Sequence, residues 1–293
     1  MNQRPVAVIT GATSGLGRLT ALELARRGTA LGIVARSRAR ADELRRDIEA
    51  LAPDGGPVEV FLADLSSLHD VRRAGQEIAA RCPRIDVLVN NAGVHAFSQR
   101  VTAEGLSEMT VVNYLAPWLL THTLRDALIA SAPARIVTVA SEAARRAGGL
   151  DPARDLTLTA PYGRRASSRL YGRTKLMDIM FSAELARRLT GTGVTANSCD
   201  PGFNTTGLGR DLPGAGVLEK VLTRAGIGDP RRGAGIIVRL ATDPAFATVT
   251  GGYFSVKEAR PLECPSPGRS AETRRELWEE TSRLIEKILG ITL

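Results

Sequence analysis

The amino-acid sequence predicts an α/β fold: a doubly wound parallel sheet of about seven strands with helices on both faces. Short apolar runs alternate with longer segments in which apolar residues recur every three or four positions. Such alternation is typical of parallel strands joined by crossover helices. The chain has 293 residues, 43% hydrophobic and 24% charged, so it can bury a sizeable core. We see no low-complexity linker and expect a single domain over residues 1–293.

Each predicted element follows from its local pattern. The predicted strands are 6–9, 31–35, 58–62, 85–89, 135–140, 194–199 and 251–256. The predicted helices are 19–27, 38–51, a segment capped by Ser66 or Ser67 and ending at Arg81, 102–131, 171–188, 231–242 and a C-terminal amphipathic helix within 269–290. The stretch 142–170 lacks periodicity and is expected to be a loop, while the Gly-rich stretch 203–228 is expected to be a substrate lid.

A glycine-rich turn follows the first strand and opens into the first helix. The turn contains Gly11, Thr13, Ser14, Gly15, Leu16 and Gly17. A helix N-terminus offers unpaired N–H groups and partial positive charge to a pyrophosphate, and glycines let the phosphates approach closely. The turn therefore predicts a dinucleotide site. The alternative is a turn whose glycines provide flexibility alone.

The residue at the end of the second strand indicates which dinucleotide is bound. An acidic side chain at this point accepts hydrogen bonds from the ribose hydroxyls of NAD. Here the strand is followed by Arg36, and a guanidinium suits the 2′-phosphate of NADP. NADP(H) is therefore the preferred cofactor, with NAD(H) possible. The alternative is that Arg36 and Arg38 are solvated residues at the start of a helix.

Composition and charge argue against several other classes of protein. The formal net charge is +8, but the basic residues alternate with acidic ones on predicted helices and no nucleic-acid-binding motif occurs. The three cysteines are isolated, which indicates a reducing compartment and no metal site. The first strand starts at Val6 and no apolar run is long enough to span a bilayer. We therefore expect a cytoplasmic protein without a membrane or nucleic-acid partner, and the arginine- and alanine-rich composition suggests a bacterial gene.

Four side chains stand out as candidates for chemistry. Tyr171 and Lys175 head a predicted helix four residues apart, so the hydroxyl and the ammonium can converge on one face. Asn113 lies inside a predicted helix, where asparagine is unfavourable because its amide competes with the backbone. His95 follows the fourth strand and either lines a substrate pocket or lies on the surface.

Taken together and in this order, the motifs resemble those of the short-chain dehydrogenase/reductase family. The matching segments are Thr10-Gly11-x-x-x-Gly15-x-Gly17, Asp64-Leu65, Asn90-Asn91-Ala92-Gly93, Asn113, Ser141, Tyr171-x-x-x-Lys175 and Pro201-Gly202. The interval of 30 positions between Ser141 and Tyr171, together with Arg36 and Leu277-Trp278-Glu279, is similar to the retinol-dehydrogenase-like branch. The resemblance implies a Rossmann-type domain, a small-molecule substrate, and a homodimer or homotetramer assembled through helices that flank the active site.

The resemblance also implies a role for each matching residue. Tyr171 is expected to be the general acid or base, Lys175 to lower its pKa and hold the nicotinamide ribose, and Ser141 to bind the substrate oxygen. Asn113 is expected to anchor a water in a proton relay to Lys175. The remaining cofactor contacts are expected from Asp64, Leu65, Asn90, Asn91, Ala92, Gly93, Pro201, Gly202, Thr205 and Thr206.

These observations predict an NADP(H)-dependent oxidoreductase that transfers a hydride between nicotinamide and a carbonyl or alcohol substrate. The alternative is a catalytically silent nucleotide-binding or regulatory protein on the same fold. The sequence does not specify the substrate. We expect it to depend on the stretches 142–170 and 203–228, where Phe203, Leu208 and Leu212 favour a hydrophobic molecule but several arginines could bind an acidic group.

Overall fold

One sheet of eight strands forms the centre of the molecule. The structure is a computed structural model that describes residues 4–53, 55–202 and 229–293. The strands are β1 (Val6–Thr10), β2 (Ala30–Ala35), β3 (Val58–Leu62), β4 (Val87–Asn90), β5 (Ala134–Val139), β6 (Val194–Asp200), β7 (Tyr253–Ser255) and β8 (Pro261–Leu262). The predicted sheet is confirmed, with one addition: β8 is two residues long, too short to leave a pattern in the sequence.

The strand order places the first and fourth strands side by side. The order across the sheet is β3-β2-β1-β4-β5-β6-β7-β8, and every pair is parallel except β7 with β8. Ala7, Val8 and Ile9 of β1 lie opposite Leu31 to Ile33 of β2 on one side and Val87 to Val89 of β4 on the other. The chain therefore changes direction across the sheet at β1, and ligands of such sheets bind beyond the carboxyl ends of the strands at this switch.

Helices cover both faces of the sheet. The helices are α1 (Gly15–Arg26), α2 (Arg38–Leu51), α3 (Leu68–Arg81), α4 (Glu108–Thr110), α5 (Ala116–Thr123), α6 (Arg125–Ala130), α7 (Pro152–Thr157), α8 (Arg164–Arg188), α9 (Pro230–Thr242) and α10 (Ala271–Leu289). Because strand side chains alternate, Ile9 packs with α1, α2 and α9, whereas Val8 packs on the opposite face with α3, α5 and α8. The caps Ser37 and Ser67 accept hydrogen bonds from the backbone N–H groups of Arg40 and Asp70.

The predicted helix 102–131 is wrong at its start and interrupted in its middle. Helix begins at Glu108, because Gly105 has a φ of +75° in a turn that precedes it. The segment Val111–Leu115 is a π-helical turn, and Asn113 lies within it. Turns of this kind occur mostly as single insertions in α-helices, often at functional sites. The structure thus accommodates the unfavourable asparagine by a local change in helix type.

The expected loop 142–170 is also corrected by the structure. It contains a 3-10 helix (Glu142–Arg146), α7 and the first turns of α8, which begins at Arg164 rather than at Tyr171. Asp155, whose side chain is 1% exposed, accepts hydrogen bonds from the guanidinium groups of Arg154 and Arg173. This buried carboxylate ties the segment to α8. The helices of this segment are short and held by polar contacts, so they leave no periodic pattern in the sequence.

The C-terminal helix α10 packs on the face formed by α5 and α8. The Trp278 ring centroid lies 5.1 Å from that of Trp118 and 5.9 Å from that of Phe181. The hydroxyl groups of Tyr114 and Thr281 are 2.8 Å apart in the buried core. Any assembly through this face would therefore involve α10 as well as α5 and α8. None of the helices described is long and apolar enough to cross a membrane.

Candidate active site

The glycine turn after β1 is braced by the loop that follows β4. The Thr10 hydroxyl accepts hydrogen bonds from the backbone N–H groups of Asn91 (3.0 Å) and Ala92 (3.1 Å). The Asn91 side-chain amide donates in turn to the backbone carbonyls of Thr10 (2.9 Å) and Gly11 (3.3 Å). A Cβ atom on Gly17 would overlap the Gly11 carbonyl oxygen. Only glycine can therefore occupy position 17 at the start of α1.

The first turn of α1 has the features of an anion-binding site. Ser14 is the N-cap residue, but its side chain makes no capping hydrogen bond, and the first turn holds no acidic residue. The N–H groups at this helix end therefore keep their capacity to donate. Thr13 and Ser14 are partly exposed, whereas Leu16 is buried and anchors the helix to the core.

Arg36 and Asp64 lie at the same carboxyl edge, beyond neighbouring strands. Ala35 of β2 is in register with Leu62 of β3, and Arg36 and Asp64 follow these positions. Arg36 is exposed and forms no ion pair with any described residue. The Asp64 carboxylate accepts hydrogen bonds from the backbone N–H (2.9 Å) and the hydroxyl (2.7 Å) of Ser66, and Leu65 beside it is partly buried.

Asn113 clamps the loop after β4 to the helix that carries the tyrosine. Its side-chain oxygen accepts from the Val94 N–H at 2.7 Å, and its side-chain nitrogen donates to the Val94 carbonyl at 2.9 Å and to the Thr174 hydroxyl at 3.0 Å. A Cβ atom on Gly93 would lie 3.4 Å from the Asn113 oxygen and 3.6 Å from the Lys175 ammonium. The structure therefore brings Asn113, Gly93 and Lys175 together.

Tyr171 and Lys175 lie on one face of α8, as the spacing predicts. The Lys175 ammonium is 5.9 Å from the centre of the Tyr171 ring and donates to the Val139 carbonyl at 2.8 Å. His95 stacks on Tyr171 with ring centroids 4.6 Å apart and also contacts the Phe97 ring. Of the two alternatives for His95, the contact with Tyr171 favours a position that lines the candidate site.

Another tyrosine also has a lysine four positions later, and only the structure distinguishes that pair from Tyr171 and Lys175. Tyr253 is followed four residues later by Lys257. Tyr253 is in β7, buried, with its hydroxyl 3.4 Å from a Glu142 carboxylate oxygen, whereas Lys257 is exposed in the turn after the strand. Residues four apart converge on one helical face only when both are helical, so this pair is no catalytic candidate.

Burial and charge act in opposite directions on the side chains of Tyr171 and Lys175. Burial raises the pKa of the Tyr171 phenol above its ordinary value near 10, while the Lys175 ammonium lowers it. Burial also disfavours the charged form of Lys175, but Asp178 and Tyr171 outweigh this effect and raise its pKa. The lysine therefore remains a cation beside the phenol.

Ser141 lies directly after β5, at the start of the 3-10 helix. Its hydroxyl oxygen accepts from the Ala143 N–H at 3.1 Å, which leaves the hydroxyl proton available to a ligand. The buried Asp200 at the end of β6 accepts from the Glu142 N–H at 3.1 Å and so fixes the same segment. Gly202 follows with a φ of +75° and Pro201 is buried. Thr205, Thr206 and the predicted lid 203–228 lie outside the described residues.

Comparisons with known proteins agree with this arrangement. The family model for short chain dehydrogenases matches residues 5–152. Retinol dehydrogenase 14 of Mus musculus is 38% identical over 97% of this chain and 85% of its own length. Dehydrogenase/reductase SDR family member 13 of Homo sapiens is 37% identical over 95% of this chain and 72% of its own length. The NADP active-site complex of RhlG from Pseudomonas aeruginosa has a TM-score of 0.67 and 25% identity, covering 86% of this chain and 94% of that one.

The chain belongs to the short-chain dehydrogenase/reductase family, in its retinol-dehydrogenase-like branch. It is an NAD(P)-dependent oxidoreductase that acts on alcohol or carbonyl groups. The strand order and the site at the carboxyl edge of β1 and β4 are what such a protein requires.

Two residues of the site region have contacts that the sequence interpretation did not foresee. Gly172 lets α8 approach the Ser141 segment: a Cβ atom there would lie 2.5 Å from the Ala143 carbonyl oxygen. Asp178 forms a buried ion pair with Lys175. Neither belongs to a recognisable motif. Spacing alone could have flagged Asp178, since residues three apart share a helix face.

We expect Gly172→Ala to impair the protein, because the added methyl group would collide with a backbone carbonyl that cannot move independently. The free energy of unfolding should fall by about 1–3 kcal/mol, as for other overpacked sites, and carbonyl reduction should fall more than about tenfold, since α8 carries Tyr171. Denaturant unfolding and NADPH oxidation rates measure the two effects.

Gly235→Ala is the matched control, because Gly235 is also helical but nothing lies within 4 Å of a Cβ atom there. This change should raise stability by about 0.5–1 kcal/mol and leave the rate unchanged. A Gly172→Ala protein as stable and active as the parent would contradict the packing argument.

Proposed function

We propose that the protein is an NADP(H)-dependent carbonyl reductase or alcohol dehydrogenase in which Tyr171 is the general acid and base. The observation that carries this proposal is the convergence of Tyr171, Lys175 and the Asn113 clamp at the edge where β1 and β4 end. A silent nucleotide-binding protein would have no need of all these groups in one place. The family relationship supports a catalytic role as well.

The residues at the sheet edge fit a nicotinamide dinucleotide. The uncapped N-terminus of α1 and the close-packed glycine turn suit the pyrophosphate, and the exposed Arg36 suits a 2′-phosphate. We assign the adenine end to Asp64 and Leu65, and the nicotinamide amide or the phosphates to Thr205 or Thr206. The rest of the cofactor pocket is assigned to Asn90, Asn91, Ala92, Gly93, Tyr171, Lys175, Pro201 and Gly202. When bound, the cofactor supplies or accepts the hydride.

The chain's own side chains handle the proton and the substrate oxygen. Tyr171 donates its phenolic proton to the carbonyl oxygen in reduction and removes the alcohol proton in oxidation. Ser141 donates its free hydroxyl proton to the same oxygen and stabilises the charge that develops there. Lys175 keeps a positive charge beside Tyr171, and Asn113 holds the loop after β4 in place against α8.

The raised pKa of Tyr171 favours the direction of reduction. A phenol whose pKa lies above its ordinary value is protonated at neutral pH and is ready to act as an acid. Reduction should therefore be fast at neutral pH and decline as the pH rises through the pKa of Tyr171. Oxidation should require higher pH, where the phenolate forms.

The surroundings of Tyr171 favour an apolar substrate. The rings of His95 and Phe97 extend from Tyr171 as a continuous aromatic surface. Several of the relatives are retinol dehydrogenases, which by name act on an apolar alcohol. We propose an apolar aldehyde, ketone or alcohol as the substrate. The cytoplasmic location, the bacterial origin and a homodimer or homotetramer stay predictions from the sequence.

Replacement of Arg36 by alanine should weaken NADPH binding and leave NADH binding unchanged. Loss of a charge-assisted contact with the 2′-phosphate costs about 1.5–3 kcal/mol, which corresponds to about a 10–100-fold increase in Kd. The change in fluorescence of the reduced nicotinamide on titration measures both affinities. Arg40→Ala, also exposed and in the first turn of α2, is the control. Equal losses for NADPH and NADH, or no loss, would contradict the assignment.

The Tyr171→Phe variant should lose carbonyl reduction but keep NADPH affinity. Without the phenolic proton, the rate with a panel of apolar aldehydes and ketones should fall by about a thousandfold, within the range for general acid catalysis. Tyr162→Phe is the matched control, because the Tyr162 hydroxyl is buried without a hydrogen bond to any described residue. Retention of activity by Tyr171→Phe would exclude the proposed acid.

A further inference from the structure

A buried carboxylate lies one helical turn beyond the lysine of the site. Asp178 is on α8, three residues after Lys175, with its Oδ2 atom 2.9 Å from the Lys175 ammonium nitrogen. The two side chains are 1% and 5% exposed. The ammonium therefore lies between this carboxylate and the Val139 carbonyl, which it also contacts. Both contacts hold Lys175 in a single position before any ligand arrives.

The negative charge of the buried Asp178 carboxylate is compensated by the Lys175 ammonium. Its second oxygen, Oδ1, is buried and accepts no hydrogen bond from any residue in the described ranges. A buried carboxylate with one partner carries a large desolvation cost. An asparagine of the same shape could accept the same hydrogen bond from Lys175 without that cost. What Asp178 adds to the site is therefore its negative charge.

Several ionisable groups face this ion pair from the surrounding elements. Tyr171 shares α8, Tyr114 comes from the π-helical turn, Cys199 and Asp200 come from β6, and His95 stacks on Tyr171 from the loop after β4. Among these groups Lys175 is the cation and Asp178 is its direct partner. The two charges act on Tyr171 as a compact dipole rather than as an isolated cation, which weakens the pull of Lys175 on the phenolic proton.

We propose that Asp178 is a positioning residue that fixes Lys175 and offsets its charge, so that Tyr171 enters the reaction as a protonated acid. The inference rests on the proposed role of Tyr171 and deepens it by naming the group that biases the site toward carbonyl reduction. Asp178 touches neither substrate nor cofactor in this account. It acts through Lys175.

Asp178 offsets the charge of Lys175 only at a pH where its carboxylate is ionised. Burial raises the pKa of Asp178 to about 6, although the Lys175 ammonium opposes the shift. Above about pH 6 the carboxylate is ionised and offsets the lysine, and below that pH the compensation is lost. The bias of Tyr171 toward its protonated form is thus present at neutral pH, where the phenol must donate.

The test is a direct titration of Tyr171 in the cofactor-free protein. The ultraviolet absorbance of phenolate is followed against pH for the parent and for Asp178→Asn, each with a Tyr171→Phe counterpart to isolate the contribution of Tyr171. Removal of the compensating charge should lower the pKa of Tyr171 by about one unit, a shift in keeping with an opposite charge a few ångströms away. An unchanged or raised pKa would overturn the proposal.

Glu184→Gln is the matched control. Glu184 is a carboxylate on the same helix, its side chain 3% exposed, and it pairs with Arg187 and Arg188 rather than with Lys175. Its loss should reduce stability without moving the titration of Tyr171. An equal shift in Glu184→Gln would assign the effect to general damage and overturn the specific role of Asp178.

A second variant and a second readout separate the possible failures. Asp178→Ser removes the charge with less bulk, and it should give the same shift if Asp178→Asn does not fold. Failure of both variants to fold would show a structural role alone and overturn the proposal. The titration needs no cofactor or substrate, so absence of NADPH binding would refute the proposed function separately. In an active enzyme, the pH limb of kcat for oxidation should move to lower pH while KM stays constant.

Discussion

The structure depends on the contact between two loops that are far apart in the sequence. The strand order brings β1 beside β4, and the hydroxyl of Thr10 accepts hydrogen bonds from the backbone of Asn91 and Ala92 at that junction. This contact requires glycine at position 17, where a side chain would overlap the Gly11 carbonyl. Without it, the N-terminus of α1 would have no fixed direction. A pyrophosphate site made of backbone N–H groups needs that direction more than any particular side chain.

The proposed catalytic groups are fixed by polar contacts beneath the same edge. The amide of Asn113 holds the backbone of Val94 and the hydroxyl of Thr174, so one side chain connects the loop after β4 with α8. Lys175 is held from two sides, by a strand carbonyl and by a buried carboxylate. Such preorganisation matters because a small error in the position of an acid or a donor lowers the rate steeply. In the proposed mechanism, the charges around Lys175 then determine whether Tyr171 is protonated when the substrate binds.

The sequence analysis predicted most of the sheet, since apolar runs in parallel strands leave a clear signal. It could not predict the two-residue strand β8 or the helices within 142–170, which are short and held by polar contacts such as those of Asp155. Asn113 was recognised as unfavourable in a helix, but the π-helical turn that relieves the conflict has no sequence signature. The close approach of Gly172 to Ala143 cannot be read from a local pattern, whereas the three-residue spacing of Lys175 and Asp178 allows their contact but does not reveal its burial.

We propose that one site at the carboxyl edge of β1 and β4 holds the dinucleotide and presents it to Tyr171. The decisive experiment is a crystal structure of the protein with NADP⁺. It should show the pyrophosphate at the first turn of α1, the 2′-phosphate within hydrogen-bond distance of Arg36, and the nicotinamide facing Tyr171 with its ribose at Lys175. A dinucleotide bound elsewhere, or a nicotinamide turned away from Tyr171, would contradict it.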